Sequence, residues 1–162
     1  MASRGRPTQF QIAPQAGGSW RAVVELGEDN RFTVPSDAAR RAEWLGRDQA
    51  VLAILEEDDS LTLRPYEPYG KRIEAKLEEL AADGSQESER LILAIRTTRF
   101  RLKIYQDGRT IISDEIRDGL RLPPKEASFL SFTFLGEEAS LKASGPREIS
   151  EAHRLLETID LD

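Results

Sequence analysis

Cysteine is absent from this 162-residue chain, and histidine and methionine occur once each. Without thiols there is no disulfide, no thiolate nucleophile and no sulfur-ligated zinc. The lone imidazole, His153, leaves no histidine cluster for a metal and no basis for a Ser-His-Asp triad. Long apolar runs are missing too. Nothing approaches the roughly 18 consecutive apolar residues of a membrane span, and the N-terminus lacks the apolar core of a signal peptide. No glycine-rich phosphate loop follows an expected strand. Carboxylate pairs such as Glu56-Glu57 fall at an expected hairpin tip, where they are solvated. These absences lead to the expectation of a protein that is not an enzyme. It is expected to need no cofactor or metal, to have no membrane partner, and to be cytoplasmic.

Acids outnumber bases, for a net charge of −6. That total argues against a uniformly basic nucleic-acid binder, but the charge is uneven. Arg4 and Arg6 stand in the N-terminal tail without neighbouring acids, and Arg99, Arg101 and Lys103 alternate along one stretch. The acids concentrate at Glu56, Glu57, Asp58 and Asp59 and in the middle of the chain. A local positive face is compatible with a negative whole.

The dominant pattern is an internal repeat. The stretch Arg31 to Arg64 returns from Arg109 at an offset of 78 residues, with no gap expected along the unit. Val24 and Leu26 fall on Leu102 and Ile104, Leu52 and Ile54 on Leu130 and Phe132, and Leu61 and Leu63 on Ala139 and Leu141. Each unit reads as an alternating strand, a turn, a second strand, a short helix and a closing hairpin. In the first unit the strand Trp20 to Leu26 alternates apolar and polar. Pro35 then stops the second strand, and Ser36 is expected to cap the helix. In the second, Asp107-Gly108 marks the turn and Ser113 the cap.

The boundaries follow: an irregular tail at 1–18, repeat 1 at 19–66, a helical linker at 67–97, repeat 2 at 98–145, and a C-terminal segment with a short helix at 146–162. Phe10 and Ile12 in the tail could pair as a short extra strand. Tyr69, Ile73, Leu77 and Leu80 share one helical face in the linker. Apolar stripes there and around Leu155 and Leu156 exceed what a small core needs, which predicts a homo-oligomer, at least a dimer.

Repeat 1 resembles the SpoVT/AbrB family of swapped-hairpin DNA-binding domains. The matching residues are Asn30-Arg31, Pro35, Arg40-Arg41, Leu45-Gly46, Leu52, Ile54, Asp58-Asp59, Leu61, Leu63 and Tyr66. Repeat 2 keeps Gly108-Arg109 and Arg117, with Ser113 in place of the proline. Two such units joined by helices resemble the tandem, MraZ-like branch, although Gly27 and Tyr105 stand where that branch has aspartate. The resemblance implies an α+β, mainly β fold, a swapped-hairpin β-barrel made by both repeats around a helical hairpin. It also implies a transcriptional regulator whose partner is double-stranded DNA. Arg31, Arg40, Arg41, Arg109 and Arg117 would then face the duplex. Arg99, Arg101 and Lys103 join them by charge placement, which predicts the greater contribution from repeat 2. The competing reading is a protein-interaction module without DNA binding, an antitoxin-like or scaffold barrel with a toxin-like or regulatory protein partner. Its support is the net charge, the missing aspartates, and Asp118 at the position matching Arg40.

Overall fold

The chain is described from a computed structural model, which covers residues 10–12 and 20–144. Strands and helices take comparable shares of these residues, so the fold is α+β rather than mainly β. Every strand pair is antiparallel. The expected C-terminal helix near Leu155 lies outside the described residues. No helix among them is long and apolar enough to cross a membrane.

Alternation builds the sheet. In β2 (Trp20–Leu26) the residues Trp20, Ala22, Val24 and Leu26 are buried, and the residues between them face outward. The larger sheet has seven strands in the order β1 (Phe10–Ile12), β2, β8 (Ser128–Leu135), β9 (Glu138–Ala143), β5 (Ser60–Pro65), β4 (Ala50–Leu55) and β6 (Arg99–Lys103). The early strand β2 lies beside the late strand β8, while β6 lies beside β4. A second, two-stranded sheet joins β3 (Arg31–Thr33) to β7 (Arg109–Ile111). The expected closed barrel does not form. The tail strand β1 takes the outer edge of β2, and β6 ends the other side, so the sheet stays open. Just past β6, an isolated bridge from Ile104 to Thr110 links the chain to the β3–β7 ribbon.

The offset of 78 holds across most of the chain but not all of it. The ribbon pairs Phe32 with Thr110, and β5 pairs Thr62 with Ser140, each with its own counterpart. In the hairpins, Ala53 faces Leu63 and Phe132 faces Leu141. Leu63 and Leu141 are 78 apart, but Ala53 and Phe132 are 79 apart. One extra residue therefore sits between Gly119 and Leu130. The true counterparts of Leu130 and Phe132 are Val51 and Ala53, not Leu52 and Ile54. Val51 and Ala53 belong to the shared core, whereas Leu52 is buried outside it and Ile54 is half-buried.

The core joins both halves. Trp20 meets Phe132 edge-on, with ring centroids 6.1 Å apart, and Val24, Leu61, Leu63, Leu130 and Leu141 surround them. Helix α1 (Ser36–Arg41) buries Ala38, and α4 (Asp114–Gly119) buries Ile116. Ser113 caps α4 by accepting from the Ile116 amide at 3.2 Å. Ser36 does not cap α1: Pro35 holds the cap position and Ser36 is already helical, so no side-chain cap bond forms.

Helices α2 (Lys71–Asp83) and α3 (Gln86–Thr98) form the expected hairpin. Gly84, at φ 68°, makes the reversal, which suits a residue without a Cβ. Ser85 then caps α3 by accepting from the Ser88 amide at 3.1 Å. The Asp83 carboxylate accepts from both Ser85 Oγ (2.5 Å) and Ser88 Oγ (2.6 Å). Those hydroxyls, Ser85 first, hold its pKa below the usual aspartate value. This arm supplies no side chain to the main core. Leu80 is buried within it, while Leu91 and Leu93 remain 43% and 65% exposed.

Candidate nucleic-acid interface

The ribbon is the most symmetric piece of the molecule, and two matched turns create it. Asp29-Asn30-Arg31 and Asp107-Gly108-Arg109 have the same form. Asn30 (φ 68°) and Gly108 (φ 83°) both take left-handed backbone conformations, which asparagine and glycine tolerate better than other residues. In each turn the aspartate Oδ1 accepts from the arginine backbone amide, at 3.3 Å from Arg31 and 3.0 Å from Arg109. The turns are then cross-linked. The Val34 amide donates to the Gly108 carbonyl and the Ile112 amide donates to the Asn30 carbonyl, both at 2.9 Å.

Strand alternation decides what the ribbon shows. Phe32 and Thr110 point inward and are almost fully buried. Arg31 and Ile111 face each other across the ladder, as do Thr33 and Arg109. Arg31, Arg109 and Ile111 are exposed. Beside them a broad, open depression is lined by Arg31, Arg109, Lys103, Tyr105, Gln106, Asp48 and Asp107. Lys103 stacks its ammonium over the Tyr105 ring, 5.1 Å from the centroid. The carboxylates temper the positive charge: Asp29 Oδ2 lies 3.4 Å from Arg31 Nε, and Asp107 Oδ2 lies 2.6 Å from Arg109 Nε. The Arg109 amide first, and then its guanidinium, hold the Asp107 carboxyl below the usual aspartate pKa.

The eight sequence-derived candidates divide into groups. Arg31, Lys103 and Arg109 come together at the ribbon. Arg40 borders an adjoining hollow with Arg47, Asp107 and Gly108, and is held by Asp37 one turn back on its own helix. Arg41 is exposed in the last turn of α1. Arg99 and Arg101 share the outward side of β6 with Lys103, but they sit next to the helical arm. Arg101 stacks on Tyr66 at 4.9 Å, in a cleft shared with Trp44 and Lys71. Arg99 donates to Thr98 Oγ1 at 2.8 Å and borders a hollow with Glu56, Glu57 and Asp58.

Arg117 is a correction. It is only 2% exposed and cannot face a duplex. Its Nε donates to the Pro123 carbonyl (2.8 Å), and Nη1 donates to the Gly27 carbonyl and Asn30 Oδ1 (both 3.0 Å). Its Nη2 donates to the Glu126 carbonyl. Four of the five guanidinium hydrogens therefore tie the first-half turn to the loop before β8. Asn30 passes the linkage on, donating from Nδ2 to Asp114 Oδ1 at 2.8 Å. Nothing at the ribbon favours the second repeat, because Arg117 is internal and Arg99 and Arg101 sit beside the arm.

Sequence reasoning gave Asp29 and Asp107 no part in the site, reading Asp107 only as a turn residue. The signal was present: an aspartate two residues before each turn arginine, at the same offset. It also missed Thr33 and Ile111, which alternation places on the same ribbon face as the arginines. Among the described residues no group of three or more histidine, aspartate or glutamate side chains is arranged to hold a metal. No protein-family model matches the chain, and no curated protein matches it.

Proposed function

We propose that the chain is a double-stranded-DNA-binding transcriptional regulator of AbrB type. In this reading it is an MraZ-like tandem of two swapped-hairpin units in one cytoplasmic polypeptide, and the β3–β7 ribbon is its duplex-facing element. The observation that carries the reading is the pair of arginines at matched turns, displayed outward on one antiparallel ribbon. A two-stranded ribbon fits the major groove, and arginine is the side chain best suited to the base edges there. Lys103, Arg40 and Arg41 surround the ribbon and would take phosphates, setting orientation and salt dependence. The exchange of strands between halves, β2 with β8 and β6 with β4, supports the swapped-hairpin architecture.

Binding to mixed genomic fragments across a salt series tests the reading. Log affinity should fall linearly with log salt, with a slope of about −0.9 per phosphate neutralised. Arg31→Ala and Arg109→Ala should each weaken binding, and by similar amounts, because the ribbon presents them alike. A flat salt dependence would replace this reading with the protein-interaction module. One observation favours that second reading: the arm keeps Leu91 and Leu93 in solvent, a surface suited to a toxin-like or regulatory protein. The apolar stripes of the helical linker and of the segment around Leu155 and Leu156 underlie the proposal of at least a dimer, which light scattering at tens of micromolar tests. A monomer there would remove it.

A further inference from the structure

We propose that Arg31 and Arg109 each read a guanine end-on, and that Asp29 and Asp107 are the positioning residues that hold them for it. The two guanines lie on opposite strands, about two base-pair steps apart. The inference deepens, and rests on, the duplex-binding reading of the ribbon.

The geometry at the guanidinium carries the argument. Each aspartate uses one oxygen to fix the turn through the arginine's own amide and the other to engage the arginine's Nε. The carboxylate thus occupies the inner edge of the planar group. In both arginines the carboxylate lies against Nε, on the side of the planar group away from the Nη1–Nη2 edge. That outer pair of donors matches O6 and N7 on the major-groove edge of guanine. Two donors fixed in one plane meet two acceptors, and the aspartate restricts the rotamer freedom that an unbuttressed arginine would lose on binding. The contrast with Arg40 is instructive. Its carboxylate partner engages a terminal nitrogen, Nη2, and so closes the fork. Arg40 is left suited to a phosphate as a point charge.

The ladder supplies the spacing. Arg31 faces Ile111 and Arg109 faces Thr33, so the two arginines are diagonal neighbours across the ribbon. Such neighbours lie about 7–8 Å apart, against a rise of about 3.4 Å per base pair. The ladder maps onto itself when the two halves are exchanged, with its centre at Phe32 and Thr110. A ribbon with that approximate twofold, laid along the dyad of a duplex, meets the two strands in equivalent ways.

The experiment is selection from a pool of randomised duplexes by the full chain. It is followed by affinity measurements on the selected site with 7-deazaguanine, which lacks the N7 acceptor, at the two guanines. The wild type should enrich guanines on opposite strands at about two steps, and each 7-deaza substitution should cost about 5- to 100-fold. The double variant Asp29→Asn/Asp107→Asn keeps a turn acceptor but loses the charge at Nε. It should retain the wild-type salt slope on mixed DNA while its preference for the selected site over mixed DNA falls about tenfold. Salt-dependent binding without guanine enrichment, enrichment at another spacing, or indifference to 7-deazaguanine overturns the guanine inference and leaves DNA binding standing. Undiminished discrimination by the double variant overturns the positioning role. Failure of the wild type to bind any duplex overturns the parent reading, and this one with it.

Discussion

After the first turn the chain runs Ala38-Ala39-Arg40-Arg41; after the second, at matched positions, it runs Ile116-Arg117-Asp118-Gly119. The first helix points its cations outward from its last turn. The second turns its single arginine inward and leaves Asp118 in solvent. The difference follows from what comes next. In the first half a tight turn over Glu43–Leu45 is held by backbone bonds, Leu45 to Ala42 (3.0 Å) and Gly46 to Glu43 (2.9 Å). In the second half the segment before β8 lacks that turn, and the Arg117 side chain gathers its carbonyls instead. Two arginines near one another in a repeat alignment thus serve opposite ends, one at the surface and one as an internal clamp.

The core carries the same asymmetry, and its removal should have the largest effect. Phe132→Ala should cost about 4 kcal/mol by urea denaturation, since a fully buried ring against Trp20 is lost. Its counterpart Ala53 has little to lose, and Ala53→Gly should cost about 1 kcal/mol. Equal costs would show that the halves are packed alike after all. Next in size is Arg117→Ala, expected to cost about 3 kcal/mol because it strands buried carbonyls. Arg40→Ala should stay within about 0.5 kcal/mol. A neutral Arg117→Ala would remove the clamp.

Smaller still is the effect at the centre of the ribbon. Thr110 is buried opposite Phe32, and its Oγ1 finds no partner among the described residues. Thr110→Val keeps the shape, removes the unsatisfied hydroxyl and should stabilise by about 1 kcal/mol. A loss of stability would mean that the hydroxyl is satisfied in solution. The smallest effect concerns pH. Because the folded turn lowers the Asp107 pKa, its contribution is complete above the ordinary aspartate range. It fades only as pH falls through the lowered value. Carboxyl chemical shifts during an acid titration should place the Asp107 midpoint below 3.8, the unperturbed value. A midpoint at or above that value would contradict the contact with Arg109.

Much of the architecture was legible because alternation and turn chemistry agree. Trp20 to Leu26 alternates cleanly, Asp107-Gly108 is a strong turn signal, and both gave elements where the structure has them. The slip in register was not legible. Ala50 to Leu55 is apolar on both faces, so parity cannot say which residues face the core. Leu52 looked like a core residue and is in fact buried on the other side. The open sheet was hidden for a different reason: closure depends on which strand takes the edge of β2, and the short segment Phe10–Ile12 decides it. Within the candidate site, Arg31 and Arg109 were readable from their matched turns. Arg117 was misread because its charge was weighed before its spacing. Three residues ahead of the buried Leu120 and one after the buried Ile116, it sits on the inward side of the helix.

The pairing of β2 with β8 has a consequence for how the protein is made. A nascent chain emerges from its N-terminus onward at about 5–20 residues per second. β2 is finished at Leu26, but its neighbour does not begin until Ser128. For roughly 5–20 seconds of synthesis, β2 has one edge and its apolar face without the partner that covers them in the finished fold. The charged middle of the chain, from Lys71 to Arg96, is made during that wait, and its two helices pack on each other. The order of synthesis therefore completes the local arm first and the sheet last, and a message truncated before residue 128 would yield a product with its principal seam unsealed.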